Sequence, residues 1–452
     1  MNNINSSKYP DYLPNNNNFS PINTPIHKRI ETFCTLIHSS SIILLPSLYF
    51  YLWTKIKLWP ILTIYVIYSY LLDNTTITGD SIFRESFKIK NLFIYKGFID
   101  YFPIITHRTI KLPPSIKIIS KKLKCLPEWT KFLPKSVKKL LKILRIINER
   151  ERIVNYEEHI GPRYMFVCHP HGVISFGITG SLCWNGIDKI FSTGKLKSSK
   201  SFKSLFNGIP CHLLTLSAQL ILPFYRDYIM SLGVGLVTKK SILSILQKWH
   251  SVAIVVGGAH ESLLAKPGMN KIVLNKRKGF IKIALESCNL EEQEGNDGDN
   301  NIINDNIQNG KWDEKLMSDI AIVPVYVYGE NNIHNVYNTT EHSIKSKQSR
   351  ILRFFLKFQL ILKKFTGFTL PLVNSRSIFN YDFGLLPYRR KIDIVFGEPI
   401  YIYRKFGNKV GDKVTNEEIE FYHKLYKDRL IELWERNKSF ATEWDEPLQI
   451  VE

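Results

Sequence analysis

Tyr164-Met165-Phe166-Val167-Cys168-His169-Pro170-His171-Gly172 joins an apolar run to two histidines set around a proline and a glycine. The first five residues are apolar and mostly β-prone, which predicts a buried strand, and Pro170 with Gly172 forces the chain out of regular structure directly behind it. Two imidazoles are thereby expected at a strand end, a common home for catalytic groups in α/β folds. A side chain with an ordinary pKa near ~6.5 accepts a proton at neutral pH. A packed or solvated histidine pair satisfies the same local pattern, so the rest of the chain has to decide between the two.

Working outward, Ala253 to Gly258 reads as a second buried strand ending in Gly-Gly, with Glu261 just beyond it. Ile320 to Tyr328 and Ile392 to Phe396 read as further strands, and Lys278 to Leu285 as a helix between them. Thr415 with Glu418 forms a capping-box pattern for a helix running to about Trp434. Strands alternating with helices, with polar groups where strands stop, predict an α/β fold: a mixed or parallel sheet covered by helices. The expected catalytic domain spans residues 160–440, followed by a tail at 441–452.

The front of the chain has a different composition. Residues 1–31 begin with an Asn-, Pro- and Ser-rich segment that reads as a disordered tail and lacks the pattern of a cleavable signal peptide. Thr32 to Thr54 carries no charged residue, and a helix of that length, at ~1.5 Å per residue, reaches across a hydrocarbon core of ~30 Å. Ile56 to Leu72 is a second, shorter apolar run. Residues 32–72 are therefore expected to form a membrane-embedded helical hairpin, either crossing twice or re-entering, with both flanks on the cytosolic side.

Residues 73–159 read as a basic, membrane-surface linker. Within it Val137, Leu140, Leu141, Leu144 and Ile147 share one helical face, while Lys135, Lys138, Lys139, Lys142 and Arg145 fill much of the rest, a pattern suited to a lipid interface. Residues 286–319 are acidic and rich in Asn and Gly, which predicts a disordered insertion. Their spacing lacks the Asp, Gly and final Glu of a calcium loop.

The formal charge is +21, from 61 Lys and Arg against 40 Asp and Glu. Such a balance calls for an acidic partner, and lysines interleaved with Leu and Ile favour an anionic bilayer or lipid droplet surface over nucleic acid. The cysteines at 34, 125, 168, 183, 211 and 288 show no metal-site or disulfide spacing, so reduced thiols and no bound metal are expected. Cys168, although next to His169, reads as a buried thiol and not as a nucleophile.

Several short blocks keep a fixed order: Tyr101-Phe102-Pro103, His169-Pro170-His171-Gly172, Pro223-Phe224-Tyr225-Arg226-Asp227-Tyr228, and Val256-Gly257-Gly258-Ala259-His260-Glu261-Ser262. Arg277-Lys278-Gly279-Phe280, Tyr328-Gly329-Glu330-Asn331, Gly384-Leu385-Leu386-Pro387-Tyr388 and Gly397-Glu398-Pro399-Ile400 follow. The ordered set resembles the type 2 diacylglycerol acyltransferase family, which includes monoacylglycerol acyltransferases and wax-ester synthases. The resemblance implies a glycerolipid acyltransferase-like fold and an integral membrane enzyme that moves a fatty acyl group from acyl-CoA to diacylglycerol, without a cofactor. It further implies an endoplasmic reticulum membrane with the catalytic domain facing the cytosol, and an association with lipid droplets. Monoacylglycerol or a long-chain alcohol are the alternative acceptors, and a non-catalytic lipid-binding protein is the reading from a different class.

Under this resemblance His171 is expected to act as the base, with His169 as its alternative or orienting partner. Neither has an Asp five residues on, as Ile174 and Phe176 stand there, so Glu261 becomes the candidate carboxylate. His423 and Asp428 match that spacing only by accident on a late helix. Arg226, Arg277 and Lys278 are expected at the CoA phosphates, with Asn275, Gly279 and Phe280 shaping the same corner. Pro170, Gly172, Gly257, Gly258 and Ser262 are expected to line the substrate site.

Overall fold

A computed structural model describes residues 24–125, 150–288, 319–336, 373–379, 384–403 and 413–451. In chain order its strands begin with β1 (Ile104–Arg108), β2 (Ile116–Cys125), β3 (Arg150–His159), β4 (Arg163–His169), β5 (Phe191–Thr193) and β6 (Leu196–Ser199). Next come β7 (Cys211–Thr215), β8 (Gly235–Leu236), β9 (Ser251–Val255), β10 (Lys271–Val273) and β11 (Ile320–Tyr328). The last are β12 (Asn335–Val336), β13 (Val373–Asn374), β14 (Ile392–Phe396), β15 (Ile400–Tyr401) and β16 (Gln449–Val451).

Ten strands form the central sheet, in the order β5-β6-β1-β14-β11-β4-β9-β7-β8, with β15 paired to β11 beside that path. β4 runs parallel to both of its neighbours, β9 and β11, whereas β14 is antiparallel to β11. The sheet is therefore mixed. Every residue of β4 and of β11 is buried, because helices cover both faces and neither strand has a solvent side. Side chains alternate between those faces. Tyr164, Phe166 and Cys168 pack with Phe98, Phe176 and Phe396, while Met165 and Val167 pack on the opposite side with Phe280, Leu430 and Trp434.

The helix Asn416–Arg436 covers the second face and starts at the expected capping box: Thr415 Oγ1 accepts from the Glu418 amide at 3.2 Å and Glu418 Oε2 from the Thr415 amide at 2.9 Å. The sheet also reaches upstream of the expected boundary at 160. β1 is an internal strand between β14 and β6, and the helix Phe93–Tyr101 buries Tyr95, Phe98 and Ile99 ahead of it. Hydropathy hides β1 because its inward residues include His107, which is buried only because Ser198 (2.7 Å) and Asp393 (2.9 Å) bond its ring nitrogens. At the other end the expected tail contains β16, which pairs in parallel with β10.

Two N-terminal segments, Ile26–Leu52 and Ile56–Thr78, are long and apolar enough to cross a membrane by length and composition. Pro46 lies inside the first, and the second passes from the α-helix Trp59–Val66 into the π-helical turn Ile67–Leu72. Ile43, Leu44, Phe50, Ile61, Ile64 and Leu71 all point outward. The inner faces dock on the domain, where Tyr65 donates to Asp227 Oδ2 at 2.6 Å and Tyr49 meets Tyr65 and Phe224.

The tail before residue 24 and residues 289–318 lie outside the described residues, as do residues 126–149, where the basic amphipathic helix is expected. Arg150, the end of the stretch Lys135 to Arg150 expected to form the basic helix, instead opens β3, which pairs antiparallel with β2. Glu286 and Ser287, expected in the insertion, complete the helix Gly279–Ser287.

Candidate active site

Three neighbouring parallel strands, β9, β4 and β11, end side by side, and each is followed by a loop with one of the site's polar groups. β4 stops at His169, which is fully buried with no hydrogen-bond partner on either ring nitrogen. Burial, assisted by the nearby His171, pushes its pKa down to about 3. Its ring lies 6.1 Å from that of Tyr426. His169 is thus a neutral core residue.

His171 is only half-buried. Its Nδ1 lies 3.1 Å from the Gly172 carbonyl oxygen. A carbonyl can only accept, so Nδ1 carries the proton and the Nε2 lone pair is left for another donor. Burial lowers the pKa of His171 below its usual value, with the Gly172 bond pulling the other way, so the ring is neutral at pH 7. Gly172 makes the turn possible in two ways. Its φ of +61° is a conformation L side chains rarely adopt, and a Cβ there would come within 2.6 Å of Glu330 Cγ.

Glu261 arrives from the loop after β9 and does approach the histidine loop, but it grips backbone and not an imidazole. Its Oε1 accepts the His171 amide N–H, and its Oε2 accepts the Val273 amide N–H at 2.9 Å. The expected ring-orienting contact is replaced by a tether between the histidine loop and β10. Burial raises the Glu261 pKa to about 7 against the pull of those two amides and of Arg277. The side chain folds back over Gly257, where a Cβ would sit 2.1 Å from the Glu261 carboxyl carbon. Gly258 has a φ of +64°, and Ser262, on the same short helix Gly258–Ser262, is buried.

The third group, Glu330, belongs to the Tyr328-Gly329-Glu330-Asn331 block, which by its sequence alone suggests no role for it. Its Oε1 accepts from the Phe176 amide at 2.7 Å and its Oε2 from the Gly177 amide at 2.8 Å, at the start of the helix Phe176–Cys183. It is 2 % exposed, and burial raises its pKa to about 7 in opposition to the two amides. The available signal was the one that revealed the other two: a buried strand, a glycine, then a polar residue, here Tyr328-Gly329-Glu330.

The expected cations separate into two places. Arg226 is buried and donates to Asp73 Oδ2 at 2.7 Å, beside Arg84 at 2.8 Å from the same atom. It fastens the second apolar segment to the domain and does not face solvent where a phosphate would bind, which corrects its expected place. Asn275 and Arg277 are exposed at the start of the Gly279–Ser287 helix, Lys278 pairs with Glu420, and Lys427 donates to Asn275 Oδ1 at 3.2 Å. This basic corner adjoins the histidine site, since it follows β10, whose Val273 amide donates to Glu261 Oε2. Phe280 lies beneath it, 5.0 Å from the Tyr426 ring.

Three other reactive side chains are buried. Cys168 is fully inaccessible and burial raises its thiol well above the usual range, which removes it as a nucleophile. His423 bonds the Leu274 carbonyl oxygen at 3.0 Å on the late helix. His334 bonds Ser375 Oγ at 2.7 Å and is pushed down to about 3 by burial.

A neutral imidazole with a free Nε2 at the end of a central strand, on a backbone tied down by a buried carboxylate, is equipped for general-base chemistry. The family model of diacylglycerol acyltransferases matches residues 153–290 and 290–450, and this chain belongs to that family. Diacylglycerol O-acyltransferase 1 of Saccharomyces cerevisiae is 32 % identical over 439 residues, covering 95 % of this chain and 88 % of that protein. Diacylglycerol O-acyltransferase 2 of Dictyostelium discoideum is 30 % identical, covering 93 % of this chain and 95 % of the relative. The 2-acylglycerol O-acyltransferase 1 of Bos taurus is 28 % identical with the same coverage of both chains. No solved structure matches this chain.

Proposed function

We propose that this protein is an acyl-CoA-dependent O-acyltransferase that acylates diacylglycerol to triacylglycerol, with His171 as its base. The single observation that carries the residue assignment is the His171 ring, protonated on Nδ1 toward Gly172 and open on Nε2. The acceptor hydroxyl gives its proton to Nε2 as its oxygen attacks the thioester carbonyl. The C–O bond forms, the C–S bond breaks, and the departing CoA thiolate takes the proton back from the imidazolium. A thiol with a pKa near ~8.5 leaves without strong acid assistance, so one imidazole suffices and neither a metal nor a prosthetic group is required.

Arg277 and Lys278 serve the CoA phosphates, with Asn275, Gly279 and Phe280 forming that corner. Pro170, Gly172, Gly257, Gly258 and Ser262 line the reacting centre. The amides of Phe176 and Gly177 serve Glu330 and that of His171 serves Glu261, so these three are not open to the developing oxyanion. The two apolar segments act as a membrane hairpin in front of a glycerolipid acyltransferase-like domain. Its outward Ile, Leu and Phe side chains face acyl chains of the endoplasmic reticulum membrane, or a lipid droplet surface, and the domain faces the cytosol.

The bovine relative's name supports monoacylglycerol as a second acceptor. Membranes containing the protein are given labelled acyl-CoA with diacylglycerol, monoacylglycerol or a long-chain alcohol in turn. Labelled triacylglycerol with the first acceptor is the expected result. Label in wax ester alone would reassign the acceptor, and no labelled product with any of the three would end the enzymatic reading.

A further inference from the structure

We propose that Glu330 is a positioning residue for acyl transfer, the second jaw of a two-carboxylate clamp that fixes the direction of the His171 imidazole. The inference rests on His171 being the base. Glu261 holds the loop at its start through the His171 amide, and Glu330 holds its end through the amides of Phe176 and Gly177. Between these anchors Gly172 lies against the Glu330 side chain so closely that a Cβ would meet its Cγ at 2.6 Å and its Oε1 at 3.0 Å. Ser175 closes the turn from inside, its Oγ donating to the His171 carbonyl oxygen at 2.6 Å. The loop is thus held at both ends by groups from the two strands flanking β4, and neither carboxylate touches the ring it orients.

The two jaws have the same chemistry. Each is buried, each accepts two backbone N–H bonds, and each follows a strand parallel to β4. A single anchor would leave the loop free to pivot about His171. Two anchors on opposite sides remove that pivot and hold the Gly172 carbonyl, and with it the Nδ1 bond that turns Nε2 toward the substrate.

Glu330→Gln tests the clamp because it keeps shape and length while turning an NH2 group toward an amide N–H that needs an acceptor. Acyl transfer from labelled acyl-CoA to diacylglycerol is measured for both proteins in the same membranes, with folded protein quantified by resistance to limited proteolysis. A displaced catalytic group lowers kcat by about tenfold or more while binding persists. The expected result is that loss per folded molecule, with KM for acyl-CoA and for diacylglycerol within about twofold of the original. Gly177→Ala pushes at the same carboxylate, since its Cβ would lie 2.8 Å from Glu330 Oε2, and equally at the core methyls of Ile392 and Val327; read per folded molecule, it is expected to give the same split. Full kcat per folded molecule in Glu330→Gln, or a loss confined to the folded fraction or to KM, would overturn the clamp. His171→Ala keeps the two claims apart: if it remains active the base assignment fails, whereas an inactive His171→Ala beside a fully active Glu330→Gln sinks only the clamp.

Discussion

His171 and His169 flank one proline yet differ in what sets proton affinity. His169 ends a buried strand with both nitrogens unpartnered and its pKa pushed to about 3, while His171 keeps one nitrogen bonded and the other open. A base whose pKa lies below the histidine reference value of 6.5 is deprotonated throughout the range above 6.5 and is lost only as pH falls through its own, lower pKa. The kcat/KM for acyl transfer is therefore expected to fall on acidification with an inflection for the base below the usual histidine value. A His171 ring found by NMR to titrate above 6.5 would contradict its burial, whereas a step in rate near pH 7 would report Glu261 and Glu330. At this scale the His-Pro-His-Gly loop and Glu261 were legible as a group, because strand ends and glycines punctuate the sequence. That Glu261 bonds an amide and leaves the ring alone was not legible, since spacing brings two loops together without saying which atoms meet. Glu330 escaped for a related reason: its partners are backbone N–H groups, which every residue carries.

Among the elements, β4, β11, β14 and the capped final helix follow from continuous apolar runs and from the Thr415–Glu418 pair. β1 and β16 do not, as the first hides a bonded histidine and the second is three residues long. Arg226 shows the same limit. Its sequence block suggested a phosphate ligand, whereas the fold uses it to moor the second apolar segment through Asp73. Removing the carboxylate from such a buried pair leaves an uncompensated guanidinium and costs about 3–5 kcal/mol. Asp73→Asn is accordingly expected to make the junction far more sensitive to protease and denaturant. Arg84→Gln, which removes the more exposed of the two cations, is expected to cost less than about 1 kcal/mol. Equal effects of the two substitutions would show that the buried pair does not hold the junction.

For the whole molecule, buried ionisable groups set the dependence of stability on pH. His169, His212 and His334 are pushed down by burial to about 3 from 6.5. The unfolded chain binds protons at these positions between pH 6.5 and 3 that the folded chain refuses, so their contribution to stability falls as pH drops through that window. Glu261 and Glu330 act with the opposite sign. Raised from 4.5 to about 7, they keep protons in the folded state that the unfolded chain has released, so their contribution falls as pH rises through that range. The two sets oppose each other between about 4.5 and 6.5, and below 4.5 the histidines act without that opposition. The thermal midpoint is expected to change little from pH 6.5 to 5 and to drop steeply below 4.5. A midpoint unchanged down to pH 3.5 would rule out neutral, buried histidines.

The most direct test of the whole account is acyl transfer from labelled acyl-CoA to diacylglycerol by His171→Ala, in membranes where its folded fraction matches that of the original protein. Loss of a general base costs about 10²- to 10⁴-fold. Triacylglycerol formation reduced by that factor, with protein content and folding unchanged, is the predicted result; a rate equal to that of the original would contradict it.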